Sequence, residues 1–309
     1  MDFLYLLEKI RVPGLNEFML GITYFGDEIA FLVTSMIVFW CVDKRQGYYI
    51  MSVGFLGTIA NQFLKLWFRI PRPWVKDPQF TILEAAREGA GGYSFPSGHT
   101  QSSVGTFGGL AYTVKNKAVR AVAIAIAVLV PFSRMYIGVH TPQDVLVAAA
   151  MAIVLIIALR PVVFSGKGKY IPILLGFMTA VAVGYLLFVE LYAFPENIDM
   201  HNLESGRKNA YTLLGALAGM LIVYFVDEKW IRFPVKAVWW AQILKVAGGL
   251  GIVMAIKSGL KAPLEAVFGV LPGRAVRYFL IVLFAGTVWP LTFRYFTKIG
   301  CAKDKEELQ

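Results

Sequence analysis

Ala121–Leu159 reads AVAIAIAVLVPFSRMYIGVHTPQDVLVAAAMAIVLIIAL. Two apolar runs flank a short polar turn that holds Ser133, Arg134, His140 and Asp144. A span across the hydrocarbon layer needs roughly 20 mostly apolar residues, and the runs, taken as 119–135 and 144–163, approach or reach that length. The turn between them therefore falls at a membrane surface. Ionisable groups at membrane depth are expensive, which makes them candidates for function unless another explanation is found.

The rest of the chain extends the same pattern. Of its 309 residues 57% are hydrophobic and 16% charged, against about 25% charged in an ordinary soluble domain, and the mean hydropathy is +0.62. Nine windows qualify or nearly qualify as spans: 27–42, 48–66, 98–113, 119–135, 144–163, 171–193, 210–226, 238–256 and 276–293. The short ones require buried or tilted packing. The first can instead begin near Met19, because Met19 to Phe25 is apolar and Asp27 and Glu28 alone interrupt it. This predicts an all-α, polytopic transmembrane helical bundle. Residues 1–26, which open MDFLYLLEKIRVPG, are expected to lie on the bilayer as an interfacial helix, since they lack the pattern of a removable signal peptide. Residues 27–193 form the core that carries the charged turns, 194–209 a polar loop, 210–293 additional spans and 294–309 a polar tail. Cys41 and Cys301 have no metal-ligand company and define no disulfide framework.

With nine spans, the connections 65–97 and 134–143 share one face with the N-terminus and the loops 194–209 and 257–275. That face holds 14 Lys and Arg, the opposite face 15, and Lys245 lies inside a span. Lys65, Arg72 and Arg134 have a chemical reason for their place, which leaves 11 against 15. The positive-inside rule then puts the opposite face in the cytoplasm and the charged turns outside. The +10 net charge reads as cytoplasmic loops meeting anionic lipid rather than as a nucleic-acid footprint.

Three stretches carry the chemistry. In Lys65–Pro73 (KLWFRIPRP), Pro71 and Pro73 stop the helix and put Arg72 in a bend; the bland alternative is that Lys65 and Arg69 snorkel to headgroups. Pro96–His99 (PSGH) opens a span. Ser97 suits an N-cap, Gly98 lets an anion approach the free N–H groups of the first turn, and His99 sits within reach of it. A capped helix that merely begins with His is the alternative. In the third stretch Thr141, Pro142 and Asp144 make a regular helix start with Asp144 as the acid of a capping box. Capping explains neither Arg134 nor His140. The functional reading has Asp144 accept a hydrogen bond from one nitrogen of His140, so that the other is a free nucleophile.

Lys65-x6-Arg72-Pro73, Pro96-Ser97-Gly98-His99 and Ser133-Arg134-x5-His140-x3-Asp144 together resemble the three signature motifs of the type 2 phosphatidic acid phosphatase superfamily. The resemblance covers roughly the N-terminal half and implies a six-helix phosphatase core followed here by about three extra spans. It implies a metal-independent phosphatase, with no cofactor, that works through a phosphohistidine. His140 would attack phosphorus, Asp144 orient it, and His99 protonate the leaving oxygen and later help activate water. Lys65, Arg72, Arg134, Ser97 and the Gly98 N–H would hold the phosphoryl oxygens. That division of labour matches what phosphoryl transfer asks of a protein, positioning and stabilisation of equatorial charge.

A site at the bilayer surface favours a phosphorylated membrane lipid. Trp67, Trp74, Phe80 and Tyr93 are expected to form an aromatic rim, and Phe80–Ala90 an interfacial helix at the entrance. For an outward site in a bacterial-type plasma membrane, undecaprenyl diphosphate is the expected substrate, with phosphatidylglycerophosphate, phosphatidate and sphingoid phosphates as alternatives. A lipid phosphotransferase and a non-catalytic phosphate-binding transporter or scaffold are the competing classes, whereas a soluble haloperoxidase is at odds with the hydropathy. His201, in the loop Pro195–Lys208, reads as solvated, and Arg69 as a supporting group between Lys65 and Arg72.

Overall fold

The computed structural model describes residues 1–299, so Cys301 and the end of the tail lie outside the described residues. Among these residues the regular elements are all helices. Six are long and apolar enough to cross a membrane: Lys117–Tyr136, Pro142–Phe164, Ile171–Leu191, Met200–Ile231, Trp239–Gly259 and Val270–Lys298. A seventh crossing results if Pro13–Gly26 and Glu28–Cys41, bent by 56° to each other, act as one. All nine expected windows fall on helices, but three fall short of a crossing by themselves. Glu28–Cys41 has 14 residues, Lys44–Phe68 carries Asn61, Gln62 and Lys65, and 98–113 is short and passes through a π turn at Val104–Gly108.

Two compact units divide the chain. The first comprises Met1–Thr34, Tyr49–Pro161 and Ala193–Gly206. Its core sits around the turn after the Lys117–Tyr136 helix, where Tyr136, Ile137 and Val139 pack with Met19, Ala86 and Ala90. The amphipathic helix Asp2–Lys9 turns Leu4 and Leu7 inward, Leu4 against Phe80 and Ile82, and the Tyr5 hydroxyl donates to Asp77 Oδ2 at 2.8 Å.

That packing corrects two expectations. Phe80–Ala90 is not a continuous helix: an irregular stretch leads into two 3-10 turns, Glu84–Ala86 and Glu88–Ala90. Phe80 and Ile82 are buried in the same cluster, and residues two apart do not share a helix face. Phe80 is therefore buried beneath the turn instead of standing in an aromatic rim, whereas Trp67 is exposed.

The turn itself is tight. The N–H groups of Val139 and His140 both return to Arg134 O, at 3.1 and 3.2 Å, which requires Gly138 at φ +89°. A Cβ there would lie 2.9 Å from Arg11 Nη2 and 3.0 Å from the Phe80 ring, so glycine is needed for both its backbone angle and its size.

The second unit comprises Ser35–Tyr48, Val162–Tyr192 and the chain from Arg207 onward. Ile171–Leu191 buries Leu175, Met178, Ala182, Tyr185 and Val189, the three-and-four spacing of one helix face. Lys245, the cation inside a span, is fully buried. Its ammonium donates to Trp40 O at 2.9 Å and Val235 O at 3.0 Å and lies 4.2 Å from the centre of the Phe293 ring. Carbonyls and a ring face thus satisfy the charge within the bundle.

Candidate active site

The three charged stretches meet in the first unit. The Lys44–Phe68 helix ends at Arg69, a non-glycine residue at φ 51°, whose N–H returns to Lys65 O and whose Nη1 donates to Leu66 O, both at 3.0 Å. Arg69 therefore closes its own helix and does not support the pocket as expected. Lys65 lies one turn earlier and its ammonium donates to Tyr93 O.

Arg72 follows the helix stop and is buried. Its Nε donates to Gly92 O at 2.9 Å, Nη2 to Gly91 O at 2.8 Å, and Nη1 to Val139 O at 2.9 Å and to His140 Nε2 at 2.8 Å. A guanidinium has five N–H donors, so four are engaged. Three of them tie the 91–92 loop to the turn before His140, a structural task that the sequence did not announce. Burial lowers the Arg72 pKa to about 10, with Asp144 opposing the shift, which still leaves it charged at neutral pH.

Because a guanidinium only donates, His140 Nε2 must be the accepting nitrogen and Nδ1 the protonated one. Nδ1 lies 3.4 Å from Asp144 Oδ2. That oxygen also accepts from the Ser94 hydroxyl at 2.5 Å and from Thr141 N–H at 2.8 Å, and Asp144 N–H donates to Thr141 Oγ1 at 3.3 Å. The capping box and the histidine contact are thus served by one carboxylate. Burial first, and then the positive charges of Arg72, Arg134 and Lys65, hold the His140 pKa well below the ordinary imidazole value. The ring is neutral at neutral pH, with its Nε2 lone pair accepting from Arg72.

Ser97 caps the helix that begins at Gly98: its Oγ accepts from Thr100 N–H at 3.4 Å, and its own N–H donates to Asp144 O at 3.0 Å. His99, in the first turn, places Nε2 2.7 Å from Asp27 Oδ1. Arg134 is buried and donates from Nη1 to Thr23 Oγ1 at 2.8 Å. Its Nε and Nη2 have no partner among the described residues. Lys65, Arg72, Arg134, His99 and His140 are close enough to perturb one another electrostatically.

Arg72 and Arg134, with Lys65 beside them, face Asp144 and Asp27 in the pocket. A buried donor left unpaired costs about 1–3 kcal/mol, and the oxygens of a bound phosphoryl group would satisfy the two on Arg134. Among the described residues no three His, Cys, Asp or Glu side chains group to hold a metal ion. His201 does not join the pocket. The loop expected over 194–209 gives way to a helix at Met200, where Asp199 Oδ1 accepts from the N–H of His201 at 2.9 Å and of Asn202 at 3.2 Å, and His201 is exposed.

Residues 45–166 match the PAP2 superfamily, and residues 211–303 match the transmembrane extension of PAP2 superfamily phosphatases. Neither stretch includes Thr23 or Asp27. The chain is 33% identical to phosphatidylglycerophosphatase B of Bacillus subtilis (strain 168) over 159 residues, 47% of this chain and 74% of that protein. It is 32% identical over 165 residues to a probable sphingosine-1-phosphate phosphatase of Dictyostelium discoideum, covering 49% of this chain and 39% of that protein. It is 27% identical over 146 residues to undecaprenyl-diphosphatase BcrC of Bacillus subtilis (strain 168), covering 45% and 72%. No solved structure matches.

Proposed function

Because the chain belongs to the PAP2 superfamily, we propose that it hydrolyses a phosphate ester or diphosphate of a membrane lipid through a phosphohistidine at His140, without a metal ion. It is an integral-membrane lipid phosphatase of that superfamily. The mechanism rests on one observation above the others. A buried His140 has Nδ1 facing Asp144 at 3.4 Å and its Nε2 lone pair facing Arg72 at 2.8 Å, and the neighbouring Arg134 keeps two donors without partners.

In the first step His140 Nε2 gives up its hydrogen bond from Arg72 and bonds to phosphorus as the bond from phosphorus to the lipid oxygen breaks. The leaving oxygen takes a proton from His99, and Asp144 stabilises the positive ring of the phosphohistidine. Water then attacks phosphorus, gives its proton to His99, and releases inorganic phosphate and a free His140. Arg134, Lys65, the last donor of Arg72 and the N–H groups at the Gly98 helix start hold the equatorial oxygens, and Ser97 fixes that helix start.

Undecaprenyl diphosphate remains the leading substrate of this proposal. Phosphatidylglycerophosphate, the substrate in the name of the 33% identical relative, is its rival. Purified protein in detergent with EDTA, offered these two lipids, phosphatidate and sphingosine 1-phosphate, is expected to release inorganic phosphate from at least one, and release from undecaprenyl diphosphate is expected to be fastest. Loss of release in EDTA and recovery with magnesium would overturn the metal-free step, and delivery of the phosphoryl group to another acceptor would favour a transferase. The site is proposed to open on the extracytoplasmic face, on the strength of the Lys and Arg distribution over nine crossings, which counts Glu28–Cys41, Lys44–Phe68 and 98–113 as spans. A cysteine placed at the exposed Gln79 should react with an impermeant maleimide in intact cells; labelling only after lysis would reverse the orientation.

A further inference from the structure

Asp27 is outside every motif, and in the sequence it merely interrupts an apolar run. It stands at the corner of the broken first span, where the chain bends by 56° between Pro13–Gly26 and Glu28–Cys41 and its own backbone is extended, with ψ 155°. That corner touches the pocket at three points. Asp27 Oδ1 lies 2.7 Å from His99 Nε2. Gly26 packs beneath the same histidine: a Cβ there would lie 2.7 Å from His99 Cβ and 3.0 Å from His99 O. Thr23 accepts from Arg134 Nη1 at 2.8 Å.

The geometry points to Asp27 as a positioning residue for His99, and to the elbow 23–27 as a fourth element of the active site beside the three motifs. The inference rests on the phosphatase reading. Each histidine of the pocket then has its own carboxylate, Asp144 for His140 and Asp27 for His99. With Nε2–H held by Asp27, Nδ1 is the nitrogen that passes a proton to the leaving lipid oxygen and later takes one from water. Burial and the charges of Arg134 and Arg72 work against the protonated ring, and the hydrogen bond and negative charge of Asp27 oppose them. Gly26 packs against the Cβ and the carbonyl of His99, which sets the start of that histidine's side chain against the elbow.

A structural role is the rival explanation, since Phe31 N–H donates to Asp27 O at 3.2 Å and Asp27 stands where the next helix is capped. The two roles separate by leaving group. An alkoxide needs a proton as it departs, whereas p-nitrophenolate leaves well without one. We would measure kcat/KM of full-length wild type, Asp27→Asn and Asp27→Glu in detergent, with p-nitrophenyl phosphate and with the lipid phosphate that the wild type hydrolyses best. Asp27→Asn is expected to lose about 10-fold or more on the lipid and less than about threefold on p-nitrophenyl phosphate, with Asp27→Glu recovering most of the lipid activity. Unchanged lipid activity in Asp27→Asn, or an equal fall on both substrates, would overturn the positioning role and leave the phosphatase reading intact. A wild type inactive on every phosphate ester would overturn both.

Discussion

Replacing His140 with alanine is expected to lower phosphate release by about four orders of magnitude or more, as removal of a nucleophile does elsewhere. The contacts of the ring make the reason specific. Asp144 and Arg72 hold its two nitrogens in opposite roles, so no neighbouring group supplies an equivalent lone pair at the same place. His140→Asn keeps a similar volume in the buried site and should fail equally, which separates chemistry from packing. Thermal unfolding of both variants checks that the fold persists. Retention of more than about one part in a hundred of the wild-type rate by either variant would contradict a covalent role for His140.

The second large effect belongs to Arg134, and it should move activity and stability in opposite directions. Arg134→Met removes a buried guanidinium with two unpartnered donors and puts a flexible apolar side chain in its place. Loss of a preorganised donor to transition-state charge typically costs 10²–10³ in rate, so a fall of about that size is expected. The buried, unpaired charge is itself destabilising, and a well-packed apolar replacement is often neutral or stabilising. The thermal midpoint without substrate is therefore expected to rise. Arg134→Lys should recover little activity, because an ammonium lacks the planar fork that reaches Thr23 and a phosphoryl oxygen together. A variant with unchanged rate, or with a lower midpoint, would show that Arg134 is a structural cation.

The parts of this account that were legible in the sequence depend on local signals. Apolar runs gave the helices because a span declares itself within 20 residues or so. The cap of Thr141 and Asp144, the Ser97 helix start and the spacing of His140 to Asp144 are likewise contained in a few residues each. Contacts made across the fold left no such trace. Asp27 and His99 are 72 positions apart, and an acidic residue in an apolar run reads as a flaw in a span until the bend places it beside the histidine. Ser94, whose hydroxyl donates to Asp144 at 2.5 Å, lies outside the three motifs. The motif makes Arg72 a phosphate ligand, and the carbonyls of Gly91, Gly92 and Val139 give it a structural task as well; nothing in a sequence marks which carbonyls are left unpaired. Phe80 and Arg69 went the other way. Residue type suggested a rim and a supporting cation, while burial under Gly138 and a left-handed helix end decided otherwise.

A covalent phosphoryl group on His140 is the central claim, and trapping it is the most direct measurement. Wild-type protein turning over a lipid phosphate labelled in its phosphoryl group would be quenched in alkali, where phosphohistidine persists, and its peptides mapped by mass spectrometry. The account predicts an acid-labile phosphoryl group on the peptide containing His140, chased away by unlabelled substrate and absent from His140→Asn. Steady turnover with no phosphoprotein at any time, or with the label on a different residue, would contradict it.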